Sequence, residues 1–277
     1  MSKFKLSGSV LVFLGAVFWS LNAPFIKFLT ADPLLICGVR SLIAGLVLMP
    51  FIRLKRLNWT PWMFLYISSY CALCISIILS LSKTSATIAI GMQYTSTIWL
   101  FLATIIASRH FNKKSFLPVC LIFFGVICFM CSGSSHSSSQ GNLIALMEGV
   151  FFACMSVGAK KSAGDNALGL TAIANLFTGV FIFIAFPHTI TLLDTLGGQD
   201  WLILFVLGVV QIGAGYACYN IGIQKITAQK ASIIALWEMI LGPLWVALFL
   251  KEYPTPLVLT GFCIILLGML LDAKLNA

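Results

Sequence analysis

Apolar runs of roughly twenty residues follow one another along almost the whole chain, with short polar stretches between them. That feature leaves few folds open. A helix needs about 20 residues to cross the hydrocarbon core of a bilayer. Inside that core each backbone N–H and C=O must be bonded within the segment, which favours helices over open strands. Ten runs qualify, approximately Gly8–Leu29, Pro33–Leu54, Pro61–Leu81, Thr84–Ser108, Phe116–Ser132, Gly141–Ser162, Ala167–Phe186, Asp200–Gln224, Ala228–Leu250 and Pro254–Asp272. Ordinary turn punctuation separates them: Asp32-Pro33, Thr60-Pro61, Gly197-Gly198, and Pro254 with Pro256. The expected fold class is an all-α polytopic membrane protein of ten transmembrane helices. Composition agrees, since only 9% of residues are charged and the mean hydropathy is +1.03, against about 25% charge in soluble domains.

The net charge of +9 does not point to nucleic acid, because the basic residues lie in short clusters between spans. Lys3, Lys5, Arg53, Lys55, Arg56, Arg109, Lys113, Lys114, Lys160, Lys161, Lys225, Lys230 and Lys274 fall on the side of the N-terminus, while Lys83 and Lys251 fall on the other. By the positive-inside rule both termini are expected in the cytoplasm of a cell with a prokaryotic-type inner membrane. The first span is too long for a signal-peptide core and is expected to be retained. Most of the nine cysteines sit inside apolar spans. Cys71 and Cys74 have C-x-x-C spacing, but no His or acid stands beside them, so they read as small apolar fillers rather than a metal or redox pair. His110, His136 and His188 fall in loops. No Walker loop, metal set or nucleophilic triad appears, and Gly208, Gly213 and Gly215 read as helix-packing glycines. No cofactor, metal or catalytic residue is expected.

The polar stretch SGSSHSSSQ from Ser132 to Gln140 divides the chain near its middle. Residues 1–132 and 141–277 then form two halves joined by a linker at 133–140. At one constant offset Gly15 aligns with Gly149, Phe18 with Phe152, Lys27 with Lys161, Leu42 with Leu176 and Gly45 with Gly179. At a second, larger offset Thr84 aligns with Thr227, Ile90 with Ile233, Cys120 with Cys263, Ile122 with Ile265 and Gly125 with Gly268. The extra residues are placed in the loop from Thr191 to Asp200. Five spans is an odd number, so two such halves lie upside down relative to one another, a recurrent transporter design with its site at their interface.

The end of each half carries an apolar span, a short charged loop and a Gly-containing span. In the second half this reads Leu236-Trp237-Glu238, Gly242-Pro243, Lys251-Glu252, Pro256 and Gly261. On these residues the chain resembles the EamA-type branch of the drug/metabolite transporter superfamily over essentially its whole length. Two acids keep the family spacing at Glu238 and Glu252, but the proline is at 243 rather than beside Glu238. In the first half Thr95 and Arg109 occupy the acid positions. The resemblance implies two inverted five-helix repeats, alternating access, and a central cavity lined mainly by spans 1, 3, 4, 6, 8 and 9, with spans 5 and 10 peripheral.

The stretch Ala231–Glu252 concentrates the functional signal. Glu238 lies in the middle of an apolar run, where an ionisable group is costly and is tolerated facing protein or a watery hollow. Gly242-Pro243 is expected to break the same helix and turn backbone groups toward that hollow. Glu238 is the candidate for proton coupling or amine binding, against the alternative of interhelical glue. Glu148 and Arg40 sit at similar depth in spans 6 and 2 and are candidates to pair with each other as a gate. Arg40 is alternatively a planar fork for a substrate carboxylate. Lys27 and Lys161 are equivalent in the two halves and close enough to span ends to snorkel. Trp19 and Asn22 precede Pro24, which can kink span 1. Gln93, Tyr94 and Trp99 on span 4 and Gln211, Tyr216, Tyr219 and Asn220 on span 8 give polar-aromatic faces, and Tyr94 aligns with Trp237. Trp19, Asn22, Gln93, Tyr94, Tyr216, Tyr219, Asn220, Trp237 and Glu238 are therefore the expected substrate-binding set, set against ordinary packing. Trp59, Trp62 and Trp201, near span ends, read as an interfacial belt.

Together these features lead us to expect a secondary transporter of small organic metabolites, amino acids or related zwitterions and amines among them. It would act as a monomer or homodimer, with a small-molecule substrate and the lipid bilayer as partners. An uncoupled facilitator or channel is the nearest alternative. An intramembrane enzyme lacks a clustered catalytic set, and a passive structural protein does not account for Glu238, Glu148 and Arg40 together.

Overall fold

The computed structural model describes residues 6–57, 59–108, 113–132, 138–162, 166–226 and 228–275. Arg109, His110, His136 and most of the linker at 133–140 lie outside them. Among the described residues ten helices are long and apolar enough to cross a membrane: span 1 (Gly8–Phe28), span 2 (Pro33–Phe51), span 3 (Pro61–Leu81), span 4 (Ala86–Ile106), span 5 (Lys113–Met130), span 6 (Ser139–Ser162), span 7 (Ala167–Ala185), span 8 (Gly198–Ile223), span 9 (Ile233–Leu250) and span 10 (Pro256–Leu275). Their starts follow local chemistry. Ser7, Asp32 and Ser85 each accept a hydrogen bond from an otherwise unpaired N–H in the first turn, and Pro33 and Pro61 occupy first-turn positions that need no donor.

The two halves form inverted five-helix repeats, and the helix pairing follows from that relation. Span 3 packs along span 6, span 5 along span 10, span 2 along span 7 and span 1 along span 8. Exchanging the repeats maps the first and last of these pairs onto each other and leaves the middle two unchanged. Individual contacts repeat the same symmetry. A Cβ added at Gly45 would stand 2.7 Å from the Leu176 side chain, and one added at Gly179 would meet Leu42 at 2.5 Å. Gly125 faces Ile265, and its repeat partner Gly268 faces Ile122. Without a hydrophobic drive between helices in lipid, this close approach of backbones is what holds spans together.

Four spans are interrupted within their length. Span 1 breaks at Leu21, between Gly8–Ser20 and Asn22–Phe28. Span 4 breaks at Tyr94 and Thr95, and span 9 breaks at Leu236. The last two breaks are near-equivalent in the repeats. The expected break at Gly242-Pro243 is not there: Trp237–Leu250 is one continuous helix with Pro243 inside it. A proline removes one N–H bond, but packing on both sides can keep the helix whole. Gly242 is buried against Ile90 of span 4. Span 8 contains a π-helical stretch, Leu207–Ala214, a wide turn that shifts the phase of every residue after it.

Candidate functional site

A cavity of about 260 Å³ lies between the repeats. Span 1 contributes Trp19 and Asn22, span 2 Arg40, span 3 Tyr70, Leu73, Cys74 and Ile77, and span 4 Gln93 and Tyr94. The second repeat contributes Phe152 and Met155 from span 6, Gln211, Ile212, Tyr216 and Tyr219 from span 8, and Ala235 and Glu238 from span 9. The helix breaks at Leu21, Tyr94 and Leu236 all stand at its wall. Trp19 and Asn22, three residues apart and on either side of the break at Leu21, share a helix face and both line the hollow. A narrower pocket adjoins it, shares Trp19, Asn22, Gln93 and Glu238, and adds Ser20, Ala89, Ile90 and Glu148.

Arg40 is buried and donates from Nη1 to the Asn22 side-chain oxygen. Its Nε has no hydrogen-bond partner. The Cys74 thiol lies beside the guanidinium. Glu238 is on the opposite repeat with the Tyr94 hydroxyl next to its carboxyl. Neither Arg40 nor Glu238 is in an ion pair among the described residues, whereas Lys27 pairs with Glu252. The same cavity holds an aromatic group. The Trp19 ring centroid is 5.0 Å from that of Tyr216 and 4.8 Å from that of Tyr219. Gly215 makes room for the indole, because a Cβ there would stand 2.7 Å from it. The Tyr216 hydroxyl lies beside that of Tyr70, which accepts from Asn175 Nδ2 at 2.8 Å. Asn175, in span 7, also donates to its own helix at Thr171, so the wall is braced from behind. Gln211 lies in the π-helical stretch, and its side-chain amide oxygen is buried without a partner.

Nine of the residues singled out from sequence line this cavity: Trp19, Asn22, Arg40, Gln93, Tyr94, Gln211, Tyr216, Tyr219 and Glu238. Glu148 lines the adjoining pocket. Two others point elsewhere. Trp237 is 45% exposed and sits edge-on to Phe13. It lies between Ala235 and Glu238 in the chain, and at about 100° per residue all three cannot face inward. Asn220 donates to the Tyr216 carbonyl at 2.9 Å, so its amide serves its own helix, and it does not reach the cavity.

The expected Arg40–Glu148 pairing is not formed. Arg40 turns to Asn22, while Glu148 is buried against the Ser80 hydroxyl of span 3. Lys27 does not snorkel to water either. Its ammonium is 2.9 Å from Glu252 and 3.1 Å from the Thr84 carbonyl. Lys161 lies over the Trp62 ring, 3.6 Å from its centroid. Trp59, Trp62 and Trp201 are exposed at span ends. Trp99 does not line the cavity, and Cys74 does, although the C-x-x-C pair read as filler. Tyr70, Phe152 and Met155 were missed. Tyr70 sits in a polar patch, Ser68-Ser69-Tyr70, that could have marked it; Phe152 and Met155 are indistinguishable in sequence from lipid-facing residues.

Residues 6–131 and 139–272 each match the EamA-like transporter family. A relative described as an uncharacterized transporter, from Archaeoglobus fulgidus, is 21% identical over 271 residues, 95% of either chain. A crystal structure superposes with a TM-score of 0.67 across 98% of both chains at 16% identity, a likeness of fold alone.

Proposed function

Because the chain belongs to the EamA-like transporter family, we propose that it is a secondary transporter of small zwitterionic metabolites, amino acids or related amines among them, working by alternating access across a prokaryotic-type inner membrane. The observation that carries this reading is the pair of opposite charges on one cavity wall. Arg40 and Glu238 come from different repeats, open into the same hollow and lack ionic partners there. A buried charge is tolerated when something completes it. A solute bearing a carboxylate and an ammonium completes both at once. Arg40 offers a planar fork with Nε unspent, and Glu238 accepts the ammonium. The Trp19, Tyr216 and Tyr219 rings add apolar contact and a face for the cation.

Such a solute also bridges the two repeats, and that gives the cycle its driving contact. Binding energy that spans both halves favours states in which they close on it. With the cavity empty, a bare Glu238 carboxylate in a closing hollow is costly, and a proton can take the place of the ammonium. Glu238 is therefore the coupling group as well as a binding group. By the distribution of Lys and Arg, the termini face the cytoplasm.

The reading is tested by a ligand-stabilisation screen of the purified protein over amino acids, amines, carboxylates and nucleosides, since specific binding raises apparent stability by mass action. Stabilisation is expected from compounds carrying both charges and not from their singly charged halves. Stabilisation by nucleosides alone would overturn it. Uptake that never exceeds the outside concentration, with or without a pH gradient, would replace the coupled transporter by a facilitator.

A further inference from the structure

On the face opposite the N-terminus, three separate segments meet at one carboxylate. Glu252, in the connection between spans 9 and 10, places Oε2 2.9 Å from Lys27 Nζ at the end of span 1. Its Oε1 accepts from the backbone N–H of Ala86, the first residue of span 4, at 2.9 Å. Lys27 in turn donates to the Thr84 carbonyl at 3.1 Å. Both side chains are more than four-fifths shielded, so solvent and salt screen the pair less than an open surface pair. Lys251, just before Glu252, is in the left-handed region at φ 55°, which turns the chain off the helix and brings the carboxylate back over the bundle. Below this cluster Trp245 of span 9 donates to Ser20 of span 1 at 3.0 Å. Spans 1, 4 and 9 are thus drawn together above the cavity.

The repeat relation makes the cluster informative. In the inverted repeat Lys27 corresponds to Lys161 and Glu252 to Arg109, so the equivalent positions on the N-terminal face are both basic. Lys161 lies over Trp62 instead. One face has an ion pair at these positions; the other has like charges by composition.

We infer that Lys27, Glu252 and the Ala86 N–H form a one-sided latch that holds the cavity shut toward the face opposite the N-terminus, so that the unloaded protein rests accessible from the N-terminal face. This rests on the alternating-access reading above. Two repeats of similar construction would by themselves favour neither orientation. A latch available to only one state biases the equilibrium by its own differential free energy.

Cys74 lines the cavity and reports its exposure. In sealed vesicles of known orientation, a membrane-impermeant maleimide is added on the face opposite the N-terminus, and modification of Cys74 is read by peptide mass spectrometry. Lys27→Gln and Glu252→Gln are each expected to raise its rate about tenfold. The double variant should exceed neither single, because one contact is broken in all three. Glu252→Gln keeps an oxygen for the Ala86 N–H, so the start of span 4 stays capped. Unchanged rates in both single variants, or effects that multiply in the double, overturn the latch while leaving transport intact. If Cys74 is never modified from that face in any variant although solute still crosses, alternating access itself fails and the latch with it.

Discussion

Arg40→Met is the sharpest test of what the cavity is for. The guanidinium is buried and gives one hydrogen bond to Asn22, its Nε has no partner, and the residue lines the cavity. If Arg40 is a structural clamp, its loss should destabilise the fold and leave binding largely alone. If it completes a substrate carboxylate, the order is reversed. A hydrogen bond to a charged group is worth about 1.5–3 kcal/mol, and 1.4 kcal/mol is about tenfold in affinity. Removing one such bond should weaken binding of a zwitterion by about 10- to 150-fold. The same change removes a desolvated charge that no acid of the protein pairs with, among the described residues. Replacing such a charge by a residue of similar volume is often neutral for stability, so the melting temperature without ligand should shift little. Arg40→Lys should restore the charge but not the fork, and should recover binding only in part. The assay is calorimetric titration of the purified protein, with thermal melting alongside. A melting temperature that collapses while affinity holds would falsify the anchoring role and return Arg40 to the scaffold.

Glu238→Gln should abolish acceleration of uptake by a pH gradient in proteoliposomes while still permitting solute exchange; retained acceleration would remove Glu238 from coupling. Gly45→Ala and Gly179→Ala should each cost about 1–3 kcal/mol of stability by overpacking, because an added Cβ would meet the Leu176 and Leu42 side chains and backbone within 3 Å. Gly198→Ala, with nothing within 4 Å of the added atom, should melt like the parent in the same denaturation series. Tyr70→Phe removes the acceptor of a buried Asn175 N–H bond and should cost about 1–3 kcal/mol. Asn175→Ala in the Tyr70→Phe background should then cost less than it does alone, as a double-mutant cycle would show.

Much of the architecture is local and so could be read along the chain. A span is set by the length and apolarity of one continuous segment against a fixed hydrocarbon thickness, and no distant residue is needed to see it. The inverted arrangement likewise follows from five being odd. Nine cavity residues were reachable the same way, because polar or aromatic groups in a membrane helix stand out against their neighbours. Which of them meet is a different matter. Trp237 and Glu238 are adjacent in sequence, yet one packs on Phe13 and the other opens to the cavity. Arg40 and Glu148 each took another partner, Asn22 and Ser80. Lys27 found Glu252 from across the whole chain. These outcomes depend on the rotation of each helix about its axis. That rotation is decided by close contacts such as Gly45 on Leu176, by breaks at Leu21 and Leu236, and by the π-helical stretch of span 8. Hydropathy places a helix in the membrane but is nearly blind to a turn of 100° within it; packing against neighbours far away in sequence chooses that angle, and with it the site.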